Sequence, residues 1–143
     1  MSNDELKGKI LDVIKKYPVG SVGTMRDGKP WVRYMAMKVQ DDLTLYTSSF
    51  ASSRKAEQIK KNNNVNIVFG ADNGNFSMPY VNIDGTAEIL TDKDTKEKCW
   101  CGMLEQFFSG PDDPNYIVIK VTPRSAEYIG PGAHQPVVYK CNP

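Results

Sequence analysis

Arg33 stands in the middle of Trp31-Val32-Arg33-Tyr34-Met35-Ala36-Met37-Lys38-Val39, an otherwise apolar, β-favouring run. A long cation among such neighbours either meets an anion or lines a pocket wall. Its other reading is an edge-strand charge that blocks aggregation. Lys38 follows five residues on, so a regular strand puts the two on opposite faces unless a bulge intervenes. A second concentration of charge lies between Ser52 and Asn62, where Arg54, Lys55, Lys60 and Lys61 face a single carboxylate, Glu57. Ser52 and Ser53 precede those cations at a predicted helix start, where free backbone N–H groups and the positive end of the helix dipole also point. That combination holds phosphate. Lys60 and Lys61 are too far along to take part. A solvated, serine-capped helix shows the same pattern, so the segment alone leaves both readings open. The whole chain carries 18 Lys plus Arg against 17 Asp plus Glu, a net charge of +1. No global field recruits nucleic acid or an acidic membrane, and any anion site is local.

Other chemistries find less support. The single histidine, His134, falls in a Gly/Pro-rich segment where a solvated side chain is the simpler reading than a general base. Cys99, Cys101, Cys141 and His134 formally make four zinc ligands. On a helix, however, Cys99 and Cys101 diverge by about 200°, and the pair lacks the usual spacer, so no metal site is expected. Cys99 is expected in the core and Cys101 on the surface. Asp41-Asp42 and Asp112-Asp113 lie in turn-like segments and read as caps or loop charges. Gly-x-Gly-x-x-Gly, phosphate-loop and Gly-x-Ser-x-Gly signatures are missing. No stretch approaches the roughly 20 apolar residues of a membrane span, and the charged start is unlike a secretory signal. With three cysteines and no disulfide framework, a reducing cytoplasm is the expected location.

The elements that must position these residues are legible from spacing. A length of 143 residues with 40% hydrophobic content suits one domain with its own core. Ser2 and Glu5 form a capping box ahead of Leu6, Ile10, Val13, Ile14 and Tyr17, so a helix ends at Pro18. Strands are predicted over residues 19–25 and 30–39, joined by an Asp27-Gly28 hairpin, with a third over 43–48 completing a meander. A short helix over residues 54–61, strands over 65–69 and 80–90, and a helix with one apolar side over 92–108 follow. A last strand covers 116–121, with 126–129 as a short continuation. The fold class is mostly β (α+β): an antiparallel barrel with flanking helices, its domain ending near residue 130, and an irregular tail over 131–143.

The ordered series Arg33-Tyr-Met-Ala-Met-Lys38, Leu45-Tyr46-Thr47, Ser53-Arg54-Lys55-Ala56-Glu57-Gln58-Ile59 and Asn64-Val65-Asn66-Ile67 resembles the flavin-binding split barrel of the pyridoxamine phosphate oxidase superfamily. Val81-Asn-Ile83-Asp-Gly85-Thr-Ala87 and the run from Trp100 through Phe107-Phe108-Ser-Gly-Pro-Asp-Asp-Pro114 resemble its general stress protein subgroup. The resemblance implies a six-stranded split barrel that forms a homodimer, with FMN in clefts between the subunits. It places Arg33, Thr47, Ser53 and Lys55 on the phosphate, with Arg54 as a further candidate. It puts Lys38 and Tyr46 on cofactor-contacting positions and the backbone of Met35 to Met37 along the isoalloxazine edge. Tyr80, a further cofactor-binding candidate, stands where the oxidases use glutamine, so its contact is either stacking or absent. Trp100 is a candidate to cover the ring from the partner subunit, although its spacing with Met103, Leu104 and Phe107 favours core packing. The oxidases end in a tryptophan and an Arg/His-rich segment that holds pyridoxal phosphate; this chain does not. The implied function is an FMN-dependent oxidoreductase of unknown small substrate. The rivals are a non-catalytic module for flavin, deazaflavin or haem, and a nucleic-acid-binding barrel, which the near-neutral charge disfavours.

Overall fold

The structure, a computed structural model, describes residues Met1–Cys141. Helix α1 (Asn3–Lys16) starts where Ser2 Oγ accepts the Glu5 N–H and lays Leu6, Ile10, Val13 and Ile14 on the core. Strands β1 (Val19–Arg26) and β2 (Lys29–Ala36) form a full-length hairpin. Its turn is Asp27-Gly28, both residues with positive φ, as a primed two-residue turn demands. Then come β3 (Lys38–Val39), β4 (Leu45–Phe50), α2 (Arg54–Lys61), β5 (Asn64–Gly70), β6 (Tyr80–Leu90), α3 (Lys93–Cys99), β7 (Tyr116–Ile129) and β8 (Val137–Lys140).

All strands pair antiparallel in one sheet of order β2-β1-β5-β6-β7-β4-β3, with β8 added on β7. The fold is mostly β with three α-helices, as a split barrel requires. β2 and β3 are separated only by Met37 in sequence yet occupy opposite ends of the strand order, so the sheet curls around until the chain steps across its gap. This corrects the expected meander: the 30–39 segment is two strands, and β4 pairs with β3 and β7, not with β2. The step also resolves the Arg33 and Lys38 problem, since the two belong to different strands. The core inside the curl is Val22, Ile67, Phe69, Val81, Ile83, Leu45, Ile119 and Val121, closed by α1.

The expected break in β7 is absent. It is one strand through Pro123, which lies at a register shift opposite Gly85. Arg124 forks onto Asp84 across that irregularity (3.0 and 2.9 Å). The helix expected over 92–108 ends at Cys99. The Lys96 carbonyl, which a continuing helix would offer to Trp100 N–H, instead accepts the Tyr116 hydroxyl at 2.9 Å. Trp100 and Cys101 are extended, and a separate 3-10 turn covers Gly102–Gln106. The tail expected to be irregular over 131–143 contains β8, because Val137, Val138 and Tyr139 add to the free edge of β7. Asn142 and Pro143 lie outside the described residues.

Candidate functional site

At the curl's gap, the β2–β3 step, β4, the start of α2 and the wall made by α3 and the 3-10 turn enclose a cleft of about 720 Å3. Met35, Lys38, Tyr46, Thr47, Lys55 and Trp100, all singled out from sequence, line it. Arg33, Ser53 and Arg54 surround its α2 end rather than line it. Tyr80 does not join them. It begins β6, opposite Ile129 and edge-on to Phe76, whereas the β6 residues in register with Tyr46, Thr47 and Ser48 across β7 are Glu88, Ile89 and Leu90, at the far end of the strand.

The α2 end is a concentration of uncompensated positive charge. Arg33 is half-buried, and its guanidinium donates to the Val22 carbonyl (3.1 Å) and to Gln58 Oε1 (2.9 Å), both neutral acceptors. Burial, then the charge of Arg54, pushes its pKa below the ordinary arginine range. Lys55 donates to Ser49 Oγ (3.1 Å), another neutral group, and its pKa is pushed down by burial and by Arg33. Among the described residues no carboxylate lies within ion-pair distance of Arg33, Arg54, Lys55 or Lys38; the ion pairs present are Glu57–Lys61, Glu97–Lys93, Glu88–Lys120 and Asp84–Arg124. Arg54 and Lys55 also occupy the first two positions of α2, where the helix dipole favours anions. A bound anion relieves all of these costs together.

Ser53 caps α2, its Oγ accepting the Ala56 N–H at 3.3 Å, which leaves the hydroxyl proton free to donate. Thr47 is different: its hydroxyl donates to the Ala36 carbonyl at 2.7 Å, fixing β4 against the end of β2. Its only proton is committed while that bond stands.

Trp100 both borders the cleft and packs edge-on against Tyr116, with ring centres 5.4 Å apart. Cys99 is half-buried beside the same cleft, and burial pushes its thiol pKa up; Cys101 is exposed. Sequence reasoning missed three contributors. Lys98 and Met103 belong to the cleft wall, and Gln58, 6% exposed, accepts from Arg33 and from Thr24 Oγ1 (2.6 Å) with one oxygen. The signal for Gln58 was a long neutral amide beside Ile59 in an otherwise charged helix.

A curled antiparallel sheet of this strand order, with flanking helices and a cleft at its gap, defines a small split-barrel protein. Residues 6–130 match the family model described as pyridoxamine 5'-phosphate oxidase. The chain is 38% identical to general stress protein 26 of Bacillus subtilis over 137 residues, covering 96% of this chain and 97% of that one. The crystal structure of general stress protein 26 from Bacillus anthracis superposes with a TM-score of 0.81 at 30% identity, covering 95% of this chain and 98% of that one. A Clostridium acetobutylicum protein related to general stress protein 26 gives 0.80 at 26% identity, covering 96% and 95%. The chain therefore belongs to the pyridoxamine 5'-phosphate oxidase-like family, in its general stress protein subgroup. No helix among the described residues is long and apolar enough to cross a membrane.

Proposed function

We propose that the protein holds FMN in this cleft and acts as a flavin-dependent oxidoreductase on a small molecule, as a homodimer. The observation that carries the reading is the convergence of Arg33, Arg54 and Lys55, none of them in an ion pair among the described residues, at one end of a cleft large enough for a planar ring system. The family commonly binds flavin or haem, and a doubly charged phosphate fits this donor set. Arg33 and Lys55 neutralise the phosphate, and the Ser53 hydroxyl and the α2 N-terminus donate to it. The β2–β3 step with Met35 and Lys38, Tyr46 and the wall around Trp100 border the ring.

When bound, FMN supplies reversible two-electron transfer; the protein supplies position and electrostatics. Neither histidine nor carboxylate lines the cleft among the described residues; its titratable side chains are lysines, tyrosines and cysteines, Lys38, Tyr46 and Cys99 among them, and water in the open cleft can also carry protons.

The test is the visible absorption of the purified protein after incubation with excess FMN, with mass determination of whatever it releases on denaturation. Flavin bands and released FMN are expected, followed by bleaching when NADH or NADPH is added. A Soret band would replace flavin by haem. Bound flavin that neither donor reduces would make the protein a storage or sensing module. A spectrum showing no bound chromophore would sink the reading.

A further inference from the structure

A second cleft, of about 380 Å3, lies on the other side of Gln58 from Arg33, between the β1–β2 hairpin tip and the flank of α2. Arg26, Arg54 and Lys61 line it, with Asp27 and Glu57 as its carboxylates. The Glu57–Lys61 contact is long, 3.9 Å, and exposed, so it neutralises little. Arg26 is held by stacking over the Trp31 ring, 4.8 Å from its centre, which fixes the guanidinium before any ligand arrives.

Gln58 is the feature that calls for a ligand. It is 6% exposed, and its Oε1 accepts from both Thr24 and Arg33. That double acceptance fixes which end of the amide is oxygen. Its Nε2 makes no hydrogen bond to the described residues, and among them no fully occluded side-chain polar atom is left unpartnered, so this nitrogen keeps some access to solvent while Gln58 lines the second cleft. An unpartnered amide donor on a side chain more than nine-tenths buried, in a cleft whose three cations outnumber its two carboxylates, suits an acceptor oxygen, and the two guanidinia of that lining favour the forked geometry of a phosphoryl group.

We propose that this cleft is a second phosphate subsite. Two of its lining residues tie it to the cations at the α2 end of the first: Gln58 holds Arg33 on its oxygen side, and the charge of Arg54 reaches Arg33. Phosphoryl oxygens can come from the distal phosphate of a flavin dinucleotide running on from the first site, or from a separate phosphate or mononucleotide. Only the first source rests on the flavin reading above.

The experiment compares dissociation constants of FMN and FAD on the full chain by flavin fluorescence. It also titrates AMP and inorganic phosphate by calorimetry onto the FMN-incubated protein. Both are repeated on the Arg26→Gln/Lys61→Gln variant, whose two residues lie outside the first cleft, with a thermal melt to show that it folds. FAD bound about tenfold tighter than FMN, with that margin lost in the variant and FMN affinity unchanged, supports the dinucleotide source. Equal FMN and FAD affinities with AMP or phosphate binding that the variant loses support a separate ligand. FAD no tighter than FMN, with no AMP or phosphate binding at millimolar concentration, overturns the subsite. Absence of all flavin binding defeats the flavin reading instead, and the AMP and phosphate titrations still decide the subsite.

Discussion

At the scale of single residues, Arg33 and Lys55 are cations held by neutral acceptors, with no carboxylate of the described residues at ion-pair distance. Charge-assisted contacts are worth about 1.5–3 kcal/mol each, so Arg33→Gln and Lys55→Gln should each weaken FMN binding roughly tenfold or more, with an unchanged circular dichroism spectrum. Unchanged affinity in both variants would move the phosphate elsewhere. The pH dependence has a definite sign. Lys55 starts below its ordinary pKa in the free protein, and a phosphate beside it raises that value, so binding takes up a proton between the two. FMN affinity should therefore be full below the lowered Lys55 pKa and decline as pH rises through it. Titrations from neutral to alkaline pH check this, and the decline should be smaller in Lys55→Arg, which stays charged. These cations were legible from sequence because each breaks a local rule, a charge in an apolar strand or at a helix start. Gln58 breaks none strongly enough. Its role depends on Arg33 and Thr24 approaching from two other strands, which spacing along the chain does not encode. The commitment of the Thr47 hydroxyl to Ala36 was hidden in the same way.

Among the elements, α2 has two jobs that substitution can separate. Ser53→Ala removes the cap and should cost about 1 kcal/mol, a drop of roughly 2–4 °C in Tm at this chain size, together with a modest loss of FMN affinity. Ser53→Asp keeps a capping oxygen and suits the helix dipole, so thermal stability is retained, while its charge at the phosphate position should reduce FMN affinity tenfold or more. If Ser53→Asp binds FMN like the unmodified protein, the anion is not held at this helix start. The caps and the β1–β2 hairpin were readable because they rest on neighbours within four residues. The end of α3 was not, since an apolar stripe over 99–108 suits a helix until the Tyr116 hydroxyl takes the Lys96 carbonyl from seventeen residues after Cys99. β8 was obscured by the glycines and prolines around it, and only the free edge of β7 gives its valines a partner.

For the whole molecule, the outer face of β1, β2 and β5 needs explanation. Val32 and Tyr34 are 62% and 80% exposed, and Val19 and Val68 are exposed beside them. The register sets Tyr34, Ser21 and Val68 side by side, with Val32, Gly23 and Asn66 in the next row, so these residues form one patch instead of scattered single side chains. Exposed apolar side chains clustered on a sheet face suit the homodimer proposed above. Tyr34 also borders the large cleft, so a second copy docked on this patch would close the cleft from outside. The strand order was beyond sequence reading for a related reason: β2 and β3 look like one strand until the curl of the sheet separates them, and that curl is what creates both the cleft and the patch. A homodimer at low micromolar concentration is the expected outcome in analytical ultracentrifugation. Val32→Lys, which buries a charge in such an interface but does not line the cleft, should shift the protein toward monomer. Because the cleft then loses its cover, FMN affinity should fall with the dimer fraction and recover as protein concentration is raised. A Val32→Lys monomer that binds FMN with undiminished affinity at every concentration would show that one chain completes the site by itself.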